Sequence, residues 1–209
     1  MGKRQAAVEQ TRARILAAAR AVLTGSDRYT EFSVPGVARA ADVARVTVYN
    51  QFGSKAGLLE ALSDDLARAG GLTELTTVFD EPDPRMAVSR FITAFIRFWE
   101  SDRLLIRRLR ALAALDPELE KAIAGRDERR RRGARAVVRR LTSSVRPGGL
   151  DPESAVDVLT TLTSFETYDA LAGDHRRGDE VAALVERLAR AVLDLADPPN
   201  TRSPHTRRR

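Results

Sequence analysis

Few side chains in this sequence can carry covalent chemistry. Cysteine is absent, which excludes thiolate nucleophiles, disulfides and thiolate metal sites. The histidines are His175 and His205, and no His-x-x-x-His, Gly-x-Ser-x-Gly or phosphate-binding glycine loop occurs. His175, between Asp174 and Arg176, reads as a solvated loop residue. Carboxylate pairs such as Asp64-Asp65 arise often by chance. No enzyme, cofactor or metal is expected. Non-covalent recognition is better supplied. The stretch "RVTVYNQFGSK" (45–55) holds Arg45, Thr47, Tyr49, Asn50, Gln51 and Lys55. Hydroxyls of Thr and Tyr suit phosphate oxygens, Asn and Gln can pair in bidentate fashion with adenine, and Arg does so best with guanine.

Those groups act together only if one element presents them. Val46-Thr47-Val48-Tyr49 favours a strand, and the residues after it favour a turn. A lone strand would leave its backbone groups without partners, because the rest of the chain reads as helical. From Val8, apolar residues recur at Ile15, Leu16, Ala19, Val22 and Leu23 with helical spacing. Ser33 is placed to cap a short helix to about Ala40, with Pro35 in its first turn. Asp42 reads as a turn, a second short helix covers about 44–51, and Ser54 caps a further helix carrying Leu58, Leu59, Leu62 and Leu66. Helix, tight turn, helix is the arrangement that places a second helix in the DNA major groove. Val37, Ala40, Ala41, Val43, Val48 and Phe52 would face inward. Lys55, just inside a helix N-terminus, would add its charge to exposed N–H groups, which suits a phosphate.

The order Ser33-Val34, Val37-Ala38, Ala41, Val43 and then "TVYNQFGSKAGLL" (47–59) resembles the signature of TetR-family transcriptional regulators. "TRARILAAARAVL" (11–23) is similar to that family's first helix, and the resemblance covers roughly 9–66. Three positions depart from the pattern. Asp42 replaces a turn glycine, Gly36 stands where an acidic residue is common, and Ala44 replaces a capping Ser, a role that would pass to Asp42. The candidate DNA contacts are Ser33, Arg45, Thr47, Tyr49, Asn50, Gln51 and Lys55.

The remainder also reads as helical. Gly70-Gly71 marks an end, and "FDEPDPR" (79–85) is a junction. Helices are expected in the series after that junction that carries Phe91 to Trp99, and over roughly 104–115, 116–140, 151–172 and 178–196, for about nine in all. The fold class is all-α, with an N-terminal helix-turn-helix domain (1–70), a C-terminal domain (71–196) and a disordered basic tail (197–209). Phe91, Phe95, Phe98 and Trp99 share one helical face. Met86, Leu112, Phe165 and Tyr168 are candidates for the same interior. Plain core packing is the first reading of these eight, and an apolar effector pocket is what the resemblance implies. The resemblance also implies a homodimer formed by the last two helices, through Val156, Leu159, Leu162, Val181, Leu184, Val185, Leu188 and Val192.

Charge alternates along the chain within a total of +6. Residues 1–55, 56–102, 103–146, 147–196 and 197–209 carry net +5, −5, +9, −6 and +3. The run "RDERRRRGARAVVRR" (126–140) reads first as a solvated face, with part of it paired to the acidic block. No apolar run is long enough to span a membrane, and no secretory leader is seen, so the cytoplasm is the expected compartment. The resemblance implies a repressor released from a pseudo-palindromic double-stranded DNA operator by a small-molecule effector. The alternatives are a DNA-binding dimer that senses nothing, or a helical scaffold binding an acidic partner through 126–140.

Overall fold

In the computed structural model, residues 2–25, 32–144 and 150–193 are described. The N-terminal part holds α1 (Gly2–Gly25), α2 (Val34–Ala40), α3 (Arg45–Phe52) and α4 (Lys55–Ala69). A 3-10 turn (Leu72–Glu74) and α5 (Leu75–Phe79) lead to α6 (Pro84–Ser101), α7 (Arg103–Ala113) and α8 (Pro117–Ser144). Then come α9 (Pro152–Leu162), α10 (Phe165–Ala172) and α11 (Gly178–Val192). Among the described residues there is no strand, so the all-α expectation holds, with eleven α-helices rather than about nine. The expected tail lies outside the described residues, as do residues 145–149.

Most helices start where a short polar side chain satisfies free N–H groups. Asp83 accepts from Arg85 N at 2.8 Å, Asp151 from Glu153 N and Ser154 N at 3.0 Å each, and Ser164 Oγ from Thr167 N at 3.1 Å. The last of these caps explains one of the two extra helices. The segment 151–172 is periodic throughout, yet it breaks at Thr163. There Trp99 Nε1–H donates to Thr163 O at 2.9 Å, and the Arg130 guanidinium donates to Thr160 O. Side chains from distant helices thus take carbonyls that a continuous helix would use. The other extra helix, α5, is only five residues long.

Helix α6 is the centre of the C-terminal part. It buries Val88, Phe91, Ile92, Phe95, Ile96, Phe98 and Trp99, and it packs on α8 and α11. Its rings run on into those of α10. Phe91 and Phe95 lie 4.9 Å apart, Phe98 and Trp99 4.5 Å, Trp99 and Phe165 5.6 Å, and Phe165 and Tyr168 6.4 Å between centroids. Burial of each such side chain contributes about 1.5–3 kcal/mol.

The arginine run on α8 differs from a solvated face. Arg126 pairs with Asp64 at 2.6 Å, Arg135 with Glu153 at 2.9 Å, and Arg131 with Asp157. Arg140 donates to Phe79 O at 2.8 Å and to Glu81 O. Arg130 is buried. Arg131 and Arg135 thus pair with the acidic block 147–196, while Arg126 and Arg130 find their carboxylates, and Arg140 the carbonyls of Phe79 and Glu81, elsewhere. Arg132, 3.9 Å from Glu128 and mostly exposed, keeps the solvated character. Exposed pairs of this kind contribute about 0–1 kcal/mol each, so they orient α8 more than they stabilise it.

Candidate nucleic-acid interface and cavity

The N-terminal unit is built to display α3. Ser33 Oγ accepts from Gly36 N at 3.3 Å and starts α2. The chain turns at Asp42, whose φ of 51° is left-handed, a conformation Asp tolerates better than most residues. Val43 N–H returns to Ala38 O at 3.0 Å. Helix α3 begins at Arg45 without a side-chain cap, so Asp42 does not take over the role lost at Ala44. Val48 is 1% exposed and, with buried Val37 and Ala41, pins α3 to α2. Ala40 is exposed rather than inward.

The far end of α3 is held by a residue that sequence reasoning missed. Arg12 of α1 donates to Gln51 O at 3.0 Å, and its guanidinium carbon lies 4.4 Å from the Phe52 ring centroid. One cation thus satisfies a C-terminal carbonyl and covers an aromatic face. Gly57 lets α4 approach, because a Cβ there would fall 2.1 Å from Phe52 O.

This frame leaves Arg45, Val46, Tyr49 and Asn50 exposed, with Thr47 and Gln51 half-buried. Arg45 Nη2 donates to Tyr49 Oη at 3.2 Å, one helical turn away. Val46 is 62% exposed, on a face otherwise polar, and was not among the sequence candidates. Its signal was there to find, since it lies between Arg45 and Thr47 on the displayed face. Ser33 already serves α2. Lys55 lies at the start of α4, but its Nζ is 3.4 Å from an Asp116 carboxylate oxygen.

Residues 15–62 match the sequence profile of bacterial regulatory proteins of the tetR family. Over those residues, which include α2 and α3, the chain is similar to the tetR family. Solved structures extend the likeness of fold to about nine-tenths of the chain. A regulatory protein of the tetR family from Rhodococcus RHA1 is 22% identical, with a TM-score of 0.70, over 90% of this chain and 98% of that one. NalD of Pseudomonas aeruginosa, the secondary repressor of the MexAB-OprM multidrug efflux pump, is 22% identical, with a TM-score of 0.68, over 89% and 96%. A TetR transcription regulator from Haloarcula marismortui is 16% identical, with a TM-score of 0.69, over 90% and 98%. No curated protein matches the chain.

Behind the TetR-type head lies a cavity of about 420 Å³ between α4, α5, α6, α7 and α8. Phe91, Phe95, Phe98 and Trp99 all line it. The other four candidates do not. Leu112, Phe165 and Tyr168 are buried outside its wall, and Met86 is 45% exposed. Sequence reasoning missed the polar part of the wall, formed by Asp64, Arg110, Arg126, Asp127, Arg129 and Arg130. Among the described residues, no group of His, Asp or Glu is placed to hold a metal ion, and no helix is long and apolar enough to cross a membrane.

The candidates for self-association divide. Val156, Leu159, Val181 and Val185 are at most 1% exposed within the single chain. They fill its own core, α11 through its packing on α6, and offer nothing to a second copy. Leu162 and Leu184 are half-buried, whereas Leu188 and Val192 are 40% and 42% exposed. Leu184, Leu188 and Val192 form one stripe at i, i+4 and i+8.

Proposed function

We propose that this chain acts as a homodimeric, cytoplasmic repressor that leaves a pseudo-palindromic operator when a small molecule enters the cavity. The observation that carries the reading is the sharing of elements between head and cavity. Helix α4 bears Lys55 at its start and contributes Ser63, Asp64, Leu66 and Ala67 to the cavity wall. Helix α8 contributes Ile123, Arg126, Asp127, Arg129, Arg130 and Gly133 to that wall, and Asp116, just before it, holds Lys55. Arg126 also bridges α8 to α4 through Asp64 and Glu60 O. A ligand that displaces α8 or α4 therefore alters the same joint that sets Lys55 free or holds it. Coupling of this kind is worth about 1–3 kcal/mol and is reciprocal between DNA and ligand.

In the proposed complex, Arg45, Val46 and Asn50 read base edges, Val46 through a thymine methyl group. Thr47, Tyr49, Gln51 and Lys55 mainly bind phosphates. Two heads about 34 Å apart are needed to read successive major grooves, and the stripe on α11 is the surface assigned to pairing. Residues 71–193 would form the sensing and pairing unit, and residues up to 70 the head. The test is binding of the full chain to palindromes beside its own gene. Specific, salt-sensitive binding lost on adding a cavity ligand is expected. Salt-independent or sequence-indifferent binding would overturn the reading.

A further inference from the structure

We propose that the cavity takes an apolar molecule bearing one anionic group, seated with the anion toward Arg110 and Arg130. Most of the wall is apolar, formed by the α6 rings together with Leu66, Leu72, Leu75, Leu109 and Ile123. Its volume falls within the ~300–1,000 Å³ usual for drug-sized ligands. The charged side chains are gathered on α7 and α8 with one on α4, and they do not balance. Four guanidiniums, of Arg110, Arg126, Arg129 and Arg130, line the space against the carboxylates of Asp64 and Asp127.

Arg129 is exposed, so its charge is left to solvent, and any buried excess lies among the other three. Asp64 is engaged by Arg126 at 2.6 Å. Asp127 must serve both Arg110, at 3.0 Å, and Arg130, at 3.3 Å. Arg110 has further help from Glu166, at 2.6 Å, whose side chain is 62% exposed and outside the wall. Arg130 pairs with no second carboxylate at contact distance, Glu166 acting on it only from farther off, and its other acceptors are the neutral Thr160 O and Thr163 Oγ1. Its side chain is 6% exposed, and its Nε–H has no acceptor among the described residues. Burial works against its charge, and the shared Asp127 does not fully offset it. The guanidinium carbon sits 6.0 Å from the centroid of Phe95, so this under-compensated cation adjoins the aromatic wall.

A buried cation short of a partner favours an anion over a neutral or cationic guest, because charge-assisted hydrogen bonds to a carboxylate or sulfonate are the strong ones. The apolar wall excludes a small hydrated anion or a polyanion, which could not leave their water at acceptable cost. An aromatic or aliphatic monoacid satisfies both parts. This inference rests on the cavity being a ligand site, as the proposed function requires, but not on release of DNA.

The test titrates the full chain with two fluorogenic probes of like shape, the anionic 1-anilinonaphthalene-8-sulfonate and the neutral N-phenyl-1-naphthylamine. Saturable binding of the anion at one site per chain is expected, at least about tenfold tighter than the neutral probe. Energy transfer from Trp99, the only tryptophan, which lines the cavity, places the probe there. R130M should bring the two affinities within about threefold while the neutral probe still binds. Ala67→Phe, which fills the cavity from α4, should remove both. Thermal melting confirms that each variant is folded. If R130M does not fold, the wild-type comparison and Ala67→Phe decide the matter. Equal affinities in the wild type, or sulfonate binding untouched by Ala67→Phe, would overturn the proposal. Anion-selective binding that leaves DNA in place would instead sink the regulatory reading and spare this one.

Discussion

Arg45 and Tyr49 hold each other one turn apart on the displayed face of α3, so neither side chain is free to sample all its rotamers before DNA arrives. In the proposed complex, loss of Arg45 would therefore remove a base contact and loosen Tyr49. Arg45→Ala and Asn50→Ala should each relax preference at particular base pairs, by about 1–3 kcal/mol of discrimination. Binding to operators mutated position by position measures this, and an unchanged preference would show that the contacts are assigned to the wrong residues. Gly57 has a different job. A Cβ would meet a backbone carbonyl rather than a yielding side chain, so Gly57→Ala should lower the melting temperature and abolish specific DNA binding. Arg12→Met keeps the length of the stem but loses the bond to Gln51 O and the contact with Phe52. It should cost about 1–3 kcal/mol of stability by denaturant titration.

Among elements, α7 and α10 are joined by Asp169, which accepts from Arg103 Nε at 2.5 Å and Arg107 Nη2 at 2.7 Å. Arg103 also donates to Asp169 O and Gly173 O, so it caps the end of α10. Burial alone would raise the Asp169 carboxyl, but the hydrogen bonds and charges of Arg107 and Arg103 outweigh it and hold it below the usual range. A depressed carboxylate stabilises the fold above its unfolded pKa of about 3.9, and that contribution is lost as pH falls through the lower folded value. Asp169→Asn should therefore melt earlier than the wild type at neutral pH, with the gap closing in acid. A gap constant with pH would mean that packing, not charge, is at work. Most of these helices were legible because their signals are local. Serine and aspartate caps, and apolar residues three and four apart, delimit α2, α4, α6 and α7 without reference to the rest of the chain. The head was legible for the same reason, since its motif is contiguous. What escaped was long-range. Trp99 and Arg130 reach the break between α9 and α10 from other helices, Arg12 reaches α3 from α1, and Asp116 meets Lys55 across 61 positions. Periodicity also cannot say what covers an apolar stripe, so Val181 and Val185, which face α6, looked the same as Leu188.

At the scale of the whole molecule, that last distinction separates folding from assembly. Leu188→Arg alters the exposed stripe on α11 and should yield folded monomers by sedimentation, with weakened operator binding. Val185→Arg would place a charge at a site that is 0% exposed and should unfold the chain itself. Folded dimers from Leu188→Arg would move the pairing surface elsewhere. The joint between Lys55 and Asp116 has a further effect on how such a dimer responds to ionic strength. An ordinary lysine reaching a phosphate expels a condensed counterion, which steepens the dependence of affinity on salt by about 0.9 per contact. In the proposed complex the ammonium would abandon an internal carboxylate, which would then gather a cation from solution. Expulsion on the duplex would be matched by uptake on the protein, so this lysine would add little net slope. Asp116→Asn should make the log–log plot steeper by nearly one unit per protomer, so that the regulator grips harder in dilute buffer and lets go sooner in brine.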